Sequence, residues 1–324
     1  KNSRWIRSGS KAISKFRPQA EDGSKAAIIT NGSPLFTGDA GQGESEIRRW
    51  ILENDLLETM VAMPEQLFFN TGIATYIWIF SNKKDAARRG KIQLIDARKI
   101  RTQLRRNLGA KRFEISEENI KEILELYSFF KENERSKIFS TTEFAYREIT
   151  VQQPLRLKFE ITNESLTRLK EHKDFINDRP SKKTDEKGEL ENKAWQELRA
   201  AIYEILESMR GKVYMSRNQF LARLEEKVRI HKKVLKTIWQ EIGEGDEEAE
   251  ICLDENCRPE ADNELKDFER VPWGQDIYEY FEKEVKPYAP DAWIDESVRD
   301  EKDGKIGKVG YELPFTRYFY KYEA

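Results

Sequence analysis

The apolar run from Ile73 to Phe80 constrains the fold more than any other feature of the chain. It consists of β-branched, aromatic and small residues without a charge, which is typical of a buried strand. Two further runs, Leu57–Met63 and Lys91–Asp96, predict strands before and after it. Ala26–Thr30 predicts an earlier strand, and the spacing of apolar residues in Glu46–Leu52 predicts a helix. This order indicates the end of an α/β sheet that changes to antiparallel pairing.

The pattern becomes more helical from Ser116, which is a suitable N-cap for the helix that follows it. An extended segment is predicted over Thr142–Leu157, and Thr162 or Asn163 begins another helix. We therefore expect the chain to divide into a sheet-bearing part, residues 1–115, and a mainly helical part, residues 116–324.

Two strong helices are predicted later in the chain, over Ala194–Met209 and Arg217–Ile242. The second begins with a predicted capping box formed by Ser216 and Gln219. We expect the two helices to pack antiparallel as a hairpin. Before them, residues 178–193 are dominated by charged and turn-forming side chains, which predicts a linker or mobile loop.

Charge and cysteine content exclude several classes of protein. The chain has 57 Lys and Arg against 59 Asp and Glu, a net charge of −2, which excludes a uniformly basic nucleic-acid coat. Its 2 Cys exclude a disulfide scaffold and indicate a reducing compartment. No apolar run approaches the roughly 20 residues that span a bilayer. We therefore expect a cytoplasmic protein without a membrane partner. The first residue is Lys1 and not Met, which is typical of a piece of a longer protein.

Most isolated reactive residues lack the partners that catalysis or metal binding would need. His172 and His231 lie on predicted helices among charged residues and have no recognisable nucleophile, so we interpret both as solvated. Cys252 and Cys257 lack the second pair of ligands of a zinc site, so no metal is predicted. The glycine-rich stretch 38–43 lacks the Lys-Ser/Thr of a phosphate loop, and we interpret it as a flexible lead into the next helix.

Two basic stretches, Lys1–Arg17 and Arg98–Arg112, contain no acidic residue. The second has seven Lys and Arg directly after a predicted strand, enough to neutralise several phosphates of a nucleic acid. A solvated loop explains the same residues equally well, so composition leaves both interpretations open.

The loop between two predicted strands, Pro64–Ile73, carries an unusual set of side chains. Its residues Phe68, Phe69, Asn70 and Thr71 offer two adjacent aromatic rings, an amide and a hydroxyl. Such a loop could stack on a nucleotide base extruded from a duplex. Composition alone favours a hydrophobic anchor for a turn.

Several segments occur in an order and at spacings that match a known family. They are Gly43–Arg48, Leu57–Pro64, Gln66–Ile73, Gly90–Arg98, Tyr280–Val285, Pro290–Asp295 and Gly310–Phe319. Together they resemble the methyltransferase (modification) subunit of type I restriction-modification systems, an adenine-N6 DNA methylase family. The resemblance implies that residues 1–115 are the rear part of a Rossmann-like methyltransferase sheet.

Two motifs of that family are missing from the sequence, so the resemblance is to the C-terminal part of such a subunit. The family binds S-adenosylmethionine through a glycine-rich motif after its first strand, and its catalytic motif is Asn-Pro-Pro-Phe or Tyr. Ser33–Phe36 has one Pro and lacks the Asn, and we interpret it as a turn. We therefore expect no catalytic or cofactor-binding residue here, cofactor binding only in the complete subunit, and no activity of this chain alone.

The resemblance also implies a reaction and partners. The implied reaction is methyl transfer from S-adenosyl-L-methionine to a flipped adenine. The resemblance also implies that the loop with Phe68, Phe69, Asn70 and Thr71 lies near the target base, because it matches the family segment found there. The candidate DNA-binding residues are Arg98, Arg101, Arg105, Arg106 and Arg112. The implied partners are double-stranded DNA, a specificity subunit, a second methyltransferase subunit and the restriction (motor/nuclease) subunit.

Two alternatives stay open from the sequence. The chain is either part of a DNA-binding, site-specific adenine methyltransferase of a restriction system or a non-catalytic DNA clamp or docking module of the same complex. The apolar stripe of Arg217–Ile242 either docks the specificity subunit or is internal core.

Overall fold

The computed structural model describes residues 23–177, 181, 183, 185–226 and 228–320. These residues form two compact units. The first contains the residues up to Thr150, Phe268–Pro287 and the residues from Ile294 onward, and the second contains Val151–Asp267 and Tyr288–Trp293. The first boundary therefore lies after Thr150, whereas the sequence predicted a boundary after residue 115. The predicted basic stretch Lys1–Arg17 lies outside the described residues.

The described residues contain strands and helices from end to end. The strands are β1 (Lys25–Asn31), β2 (Leu57–Met63), β3 (Thr75–Ser81), β4 (Lys91–Asp96), β5 (Thr102–Leu108), β6 (Lys111–Glu114), β7 (Ser136–Ser140), β8 (Ala145–Gln152), β9 (Leu157–Glu160), β10 (Val213–Tyr214), β11 (Gly243–Gly245), β12 (Asp267–Pro272), β13 (Trp293–Ile294) and β14 (Lys308–Tyr311). The helices are α1 (Gly43–Glu53), α2 (Glu117–Phe129), α3 (Asn163–Glu171), α4 (Lys173–Ile176), α5 (Glu186–Ser208), α6 (Arg217–Glu225), α7 (Lys232–Ile242), α8 (Ile277–Tyr280) and α9 (Phe315–Tyr318). A mixed α/β class is thus confirmed, and the helices beyond residue 116 are accompanied by eight short strands, β7 to β14.

A five-stranded sheet in the order β1-β3-β2-β4-β7 forms the centre of the first unit. Strands β2 and β4 are parallel, and the other neighbours are antiparallel. The predicted change to antiparallel pairing is therefore present, at the strand that was predicted most strongly. That strand begins at Thr75 and not at Ile73, which is 52% exposed and belongs to the preceding loop.

The sheet is covered by apolar side chains on both faces. Met60 and Trp78 share one core cluster with Leu52 of α1 and Phe315 of α9. A second cluster contains Val61 and Ile95 of the sheet with Ile123 and Leu126 of α2. Successive residues of β2 enter different clusters because side chains of a strand alternate between its faces.

Helix α2 is fixed to the sheet by a buried polar network as well as by apolar contacts. The Glu58 carboxylate is almost fully buried and accepts hydrogen bonds from Tyr127 of α2 and from Lys25 Nζ at 3.1 Å. The Arg88 guanidinium stacks against the Tyr127 ring, 4.6 Å from its centroid. Ser116 caps this helix as predicted, since its Oγ accepts from the backbone N–H of Asn119.

A buried carboxylate joins α1 to the C-terminal part of the first unit. The Asp300 carboxylate is 2.7 Å from Arg49 Nη1 and accepts the backbone N–H of Val309 at 3.0 Å. It also accepts the backbone N–H groups of Lys302 and Asp303, each at 3.1 Å. Burial by itself would raise the pKa of Asp300, but the hydrogen bonds from Arg49 and the backbone hold that pKa well below its usual range.

The second unit packs helices around a three-stranded sheet in the order β10-β9-β11. Its core contains Phe159 of β9 stacked on Phe220 of α6, with ring centroids 4.4 Å apart. Leu206 of α5 and Ile238 of α7 belong to the same cluster.

The predicted single helix Arg217–Ile242 is wrong, because the chain forms α6 and α7 with a turn between them. Ile230 lies between the two helices and is buried in the same core as Phe220 and Leu235. The predicted capping box is also wrong, since the Ser216 side chain makes no capping hydrogen bond.

The predicted loop 178–193 is partly helical. Residues 178–180, 182 and 184 lie outside the described residues, but α5 begins at Glu186 and not near Ala194. Asp185 is its N-cap, with Oδ1 accepting the Gly188 backbone N–H at 2.9 Å. The first turns of α5 are mostly exposed to solvent, so their polar composition resembled that of a loop. Within the described part of the chain, no helix is both long and apolar enough to cross a membrane.

Candidate nucleic-acid interface

The basic stretch after β4 forms a two-stranded hairpin of β5 and β6. Thr102 pairs with Glu114, Gln103 with Phe113, and Leu108 with Lys111. Gly109 begins the turn with a φ of +62°, a conformation that glycine adopts without strain and that tight hairpin turns require. Thr102 Oγ1 donates to Asn119 Oδ1 at 2.9 Å, which ties the base of the hairpin to the start of α2.

The hairpin holds the predicted aromatic loop by backbone hydrogen bonds. The Ala110 N–H donates to the Phe69 carbonyl at 3.0 Å, and the Arg112 N–H donates to the Gln66 carbonyl at 2.9 Å. A Cβ atom at Gly109 would lie only 2.8 Å from the Phe69 carbonyl oxygen, so the approach depends on glycine. Gln66 itself has a φ of +60°. Two segments that the sequence singled out separately are therefore one surface, which we call the loop–hairpin surface (residues 64–73 and 98–114).

The aromatic side chains of the loop are exposed. Phe69 is 60% exposed and Phe68 is 39% exposed, while Asn70 is exposed and Thr71 is half-buried. The anchoring role that composition favoured for this loop belongs to Leu67, which packs against the core cluster around Val61. Leu67 is therefore the anchor of the loop, and Phe68 and Phe69 are left exposed.

The five predicted arginines have different surroundings. Arg98 is held by Asp96, with Nε 2.8 Å from Oδ1 and Nη2 2.7 Å from Oδ2. Burial raises the pKa of Asp96, but the hydrogen bonds from Arg98 bring it below its usual range. The charge of Arg98 is therefore already paired, which does not favour its predicted role in DNA binding.

The other four arginines leave positive charge at the surface. The Arg101 guanidinium stacks on the Phe113 ring, 3.7 Å from its centroid, and is exposed to solvent. Arg105, Arg106 and Arg112 are exposed, and no carboxylate among the described residues forms an ion pair with them. Unpaired guanidinium groups on a protruding hairpin are well suited to bind phosphates.

Sequence reasoning missed the residues that join the two segments. Gln66 and Gly109 act through their backbones, so their side chains carry no chemical signal. Glycine in the middle of the basic stretch was the one available indication of a hairpin turn.

The candidate residues that the sequence set aside have structural roles. His172 and His231 are not simply solvated: the Nδ1 atom of each accepts a backbone N–H at the start of a helix, from Asp174 at 3.2 Å and from Lys233 at 3.3 Å. Cys252 is buried, which raises the pKa of its thiol. In the described ranges no group of three His, Cys, Asp or Glu residues could hold a metal ion.

The glycine-rich stretch before α1 is a set of tight turns. Gly38, Gly41 and Gly43 all have positive φ. A Cβ at Gly38 would lie 3.0 Å from the Ser45 backbone nitrogen, and one at Gly41 would lie 3.1 Å from the Lys308 side chain. The protein itself fills the space beside two of these glycines. Ser33–Leu35 forms a short 3-10 turn, as predicted.

Comparison with known proteins finds a family model that matches part of this chain. The sequence model of the N-6 DNA methylase family matches residues 13–155. The chain is similar to the type I restriction enzyme MjaIX methylase subunit of Methanocaldococcus jannaschii, with 30% identity over 126 residues, 39% of this chain and 21% of the relative. It is also similar to the HindI methylase subunit of Haemophilus influenzae, with 42% identity over 79 residues, 24% of this chain and 17% of the relative. The chain therefore matches about a fifth of the length of these curated relatives.

Solved structures give weaker similarities. The methyltransferase subunit of a type I restriction-modification system from Streptococcus thermophilus aligns with a TM-score of 0.32 and 24% identity, over 37% of this chain and 24% of that one. A modification subunit of a putative type I restriction enzyme from Vibrio vulnificus YJ016 aligns with a TM-score of 0.34 and 22% identity, over 43% of this chain and 28% of that one.

The sequence matches include the five-stranded sheet together with the loop–hairpin surface. The resemblance inferred from the sequence is thereby confirmed: residues 13–155 match the model of the N-6 DNA methylase family, and this chain is similar to methylase subunits of type I restriction enzymes.

Proposed function

We propose that this chain is part of a site-specific DNA adenine-N6 methyltransferase subunit of a type I restriction-modification complex, and that it holds DNA beside the target adenine. The observation that carries the proposal is the loop–hairpin surface. It places two exposed aromatic rings next to unpaired arginines within the region that matches the N-6 DNA methylase family.

The chemistry of the reaction explains why these two features belong together. The amino group of adenine is paired and stacked inside a duplex, so an enzyme must extrude the base before the methyl group can be transferred. In this proposal Phe68 and Phe69 stack on a base outside the helix, and the arginines of the hairpin hold the flanking phosphates. The short hydrogen-bonded connection between them fixes the distance between the two contacts.

S-adenosyl-L-methionine supplies the methyl group in the proposed complete subunit. Two of the three glycines in the stretch 38–43 offer that cofactor no open cradle, because Gly38 is packed against Ser45 and Gly41 against Lys308. We therefore assign this chain the binding of DNA and of the extruded base, and assign no catalytic residue to it.

The complex that we propose contains a specificity subunit, a second methyltransferase subunit and a restriction subunit besides double-stranded DNA. The names of the relatives support an assembly of this kind, because each is a methylase subunit of a type I restriction enzyme.

The isolated chain should bind no S-adenosylmethionine at micromolar concentration and should transfer no methyl group. The reason is that the sequence lacks the family's glycine-rich cofactor motif and that Gly38 and Gly41 form no open cradle. Isothermal titration of the isolated chain with the cofactor, next to the same titration of a complete type I methylase subunit, measures this directly. Micromolar binding by the chain alone would show that it contains a cofactor site.

Changing Arg105 and Arg106 to Ala should weaken the binding of the assembled enzyme to all duplex sequences alike. When a phosphate contact is lost, fewer counterions are released on binding. The slope of log K against log salt should therefore become shallower by about one to two. Filter binding at several salt concentrations gives the slope. Changing Lys212 and Arg229 to Ala, which are exposed cations of the second unit, is the matched control and should leave the slope unchanged. An unchanged slope in the hairpin variant would show that Arg105 and Arg106 do not contact phosphates and that the hairpin is merely solvated.

A further inference from the structure

A groove of about 950 Å³ crosses the surface of the second unit. One wall consists of α6 and α7, and the other is the irregular segment 253–264 that follows β11. Leu155 and Leu157 contribute to the floor, beside Gly245, whose Cβ position faces open space.

The groove is apolar at its centre. Leu221 of α6 and Trp239 of α7 line it and are only partly buried, although Phe220 and Ile238 beside them are fully buried in the core. Leu253 completes the lining and is 39% exposed. The apolar stripe of these helices is therefore mostly internal core, and part of it remains accessible in the groove.

An ion pair between Arg217, which is buried, and Glu260, which is half-buried, connects the two walls of the groove. The Arg217 guanidinium pairs with both carboxylate oxygens of Glu260, at 2.6 Å and 3.0 Å, and lies 4.9 Å from the centroid of the Trp239 ring. Arg217 thereby ties the irregular segment to α6 and α7. A groove that is already formed costs little ordering entropy when it binds a partner.

The rim of the groove is negatively charged. Residues 241–270 contain thirteen Asp and Glu against three Lys and Arg. Within the groove, Glu260 is paired with Arg217 and Glu255 with Lys232. Asp254, Asp262 and Glu264 form no ion pair with any described residue, and Lys236 is the remaining cation of the lining. An excess of unpaired carboxylates repels phosphates and attracts cationic side chains.

We propose that this groove binds an amphipathic helix of a partner protein whose apolar face is flanked by Lys and Arg. Apolar side chains at positions i, i+3 or i+4 and i+7 of such a helix fill a groove between helices, and the flanking cations meet the carboxylates of the rim. The inference goes beyond the proposed function, since it concerns the second unit alone and requires no DNA.

A synthetic helical peptide tests the proposal directly on the full chain. The probe is a fluorescein-labelled peptide of about 18 residues, roughly five helical turns, with Leu at the groove-facing positions and Lys beside them. Fluorescence anisotropy should show saturable binding that weakens as salt rises from about 50 mM to about 300 mM. A peptide of the same length with Glu in place of each Lys should bind at least roughly tenfold more weakly.

Two matched pairs of variants locate the binding site. Glu264→Lys should weaken peptide binding roughly tenfold, whereas Glu247→Lys, the same change in the same acidic segment outside the groove, should have little effect. Leu253→Ser should weaken binding to a similar degree, whereas Leu265→Ser, which is 48% exposed and does not line the groove, should not.

Several results would overturn the proposal. Equal binding of the Glu peptide, or equal effects within either matched pair, would exclude a cationic occupant of this groove. Self-association of the chain that Glu264→Lys abolishes would assign the groove to a second copy. Equal binding of a Pro-containing peptide of the same composition would exclude a helical occupant. Duplex binding should be the same in all four variants, so the outcome is independent of the proposed role in DNA binding.

Discussion

Replacing Asp300 with Asn should lower the free energy of unfolding of the first unit by about 3 kcal/mol, which is typical for removing one partner of a buried ion pair. The carboxylate is almost fully buried, pairs with Arg49 and accepts three backbone N–H groups. The amide of Asn keeps the shape but loses the charge, so part of the hydrogen bonding is lost and Arg49 keeps only Glu46 and Glu53 as partners. Urea denaturation at about pH 7 measures the change.

The same substitution should alter how stability depends on pH. Because the pKa of Asp300 is depressed in the folded chain, its contribution is complete above the unfolded pKa of about 4 and is lost as pH falls below it. The natural chain should therefore lose more stability than Asp300→Asn between about pH 5 and about pH 2. Glu301→Gln is the matched control, since Glu301 is exposed next to Asp300. If both variants unfold at the same urea concentration, the buried pair contributes nothing to stability.

Replacing Phe69 with Ala should slow methyl transfer by the assembled enzyme roughly ten- to a hundredfold, the loss expected when a base loses one aromatic stacking partner. Phe69 is 60% exposed, so its removal should leave the fold intact. The affinity for duplex DNA should change much less, because the proposed phosphate contacts come from the hairpin. Single-turnover methylation and equilibrium DNA binding separate the two effects.

Phe129→Ala is the control for that experiment. Phe129 is 68% exposed at the end of α2 and does not belong to the loop–hairpin surface. It should leave both methylation and DNA binding unchanged. If Phe69→Ala and Phe129→Ala have equal effects on single-turnover methylation, the loop does not contact the target base.

The local elements of this chain could largely be predicted from the sequence. Strands β2 and β4 have the predicted bounds because their apolar runs are continuous and end at Pro64 and at the basic stretch. Ser116 caps α2 because a hydroxyl at that position satisfies a backbone N–H of the first turn. The family could also be inferred, since the order of short motifs is a property of the sequence itself.

Contacts between distant segments were decided only by the tertiary structure. The bonds from the hairpin to Gln66 and Phe69 are made by backbone atoms, which every residue has, so no side-chain pattern encodes them. The sequence does not distinguish Arg98 from the other arginines of the basic stretch. In the fold, however, the Asp96 carboxylate lies within hydrogen-bond distance of Arg98. The break between α6 and α7 also appears only in the fold, where Ile230 between the two helices is buried in their shared core.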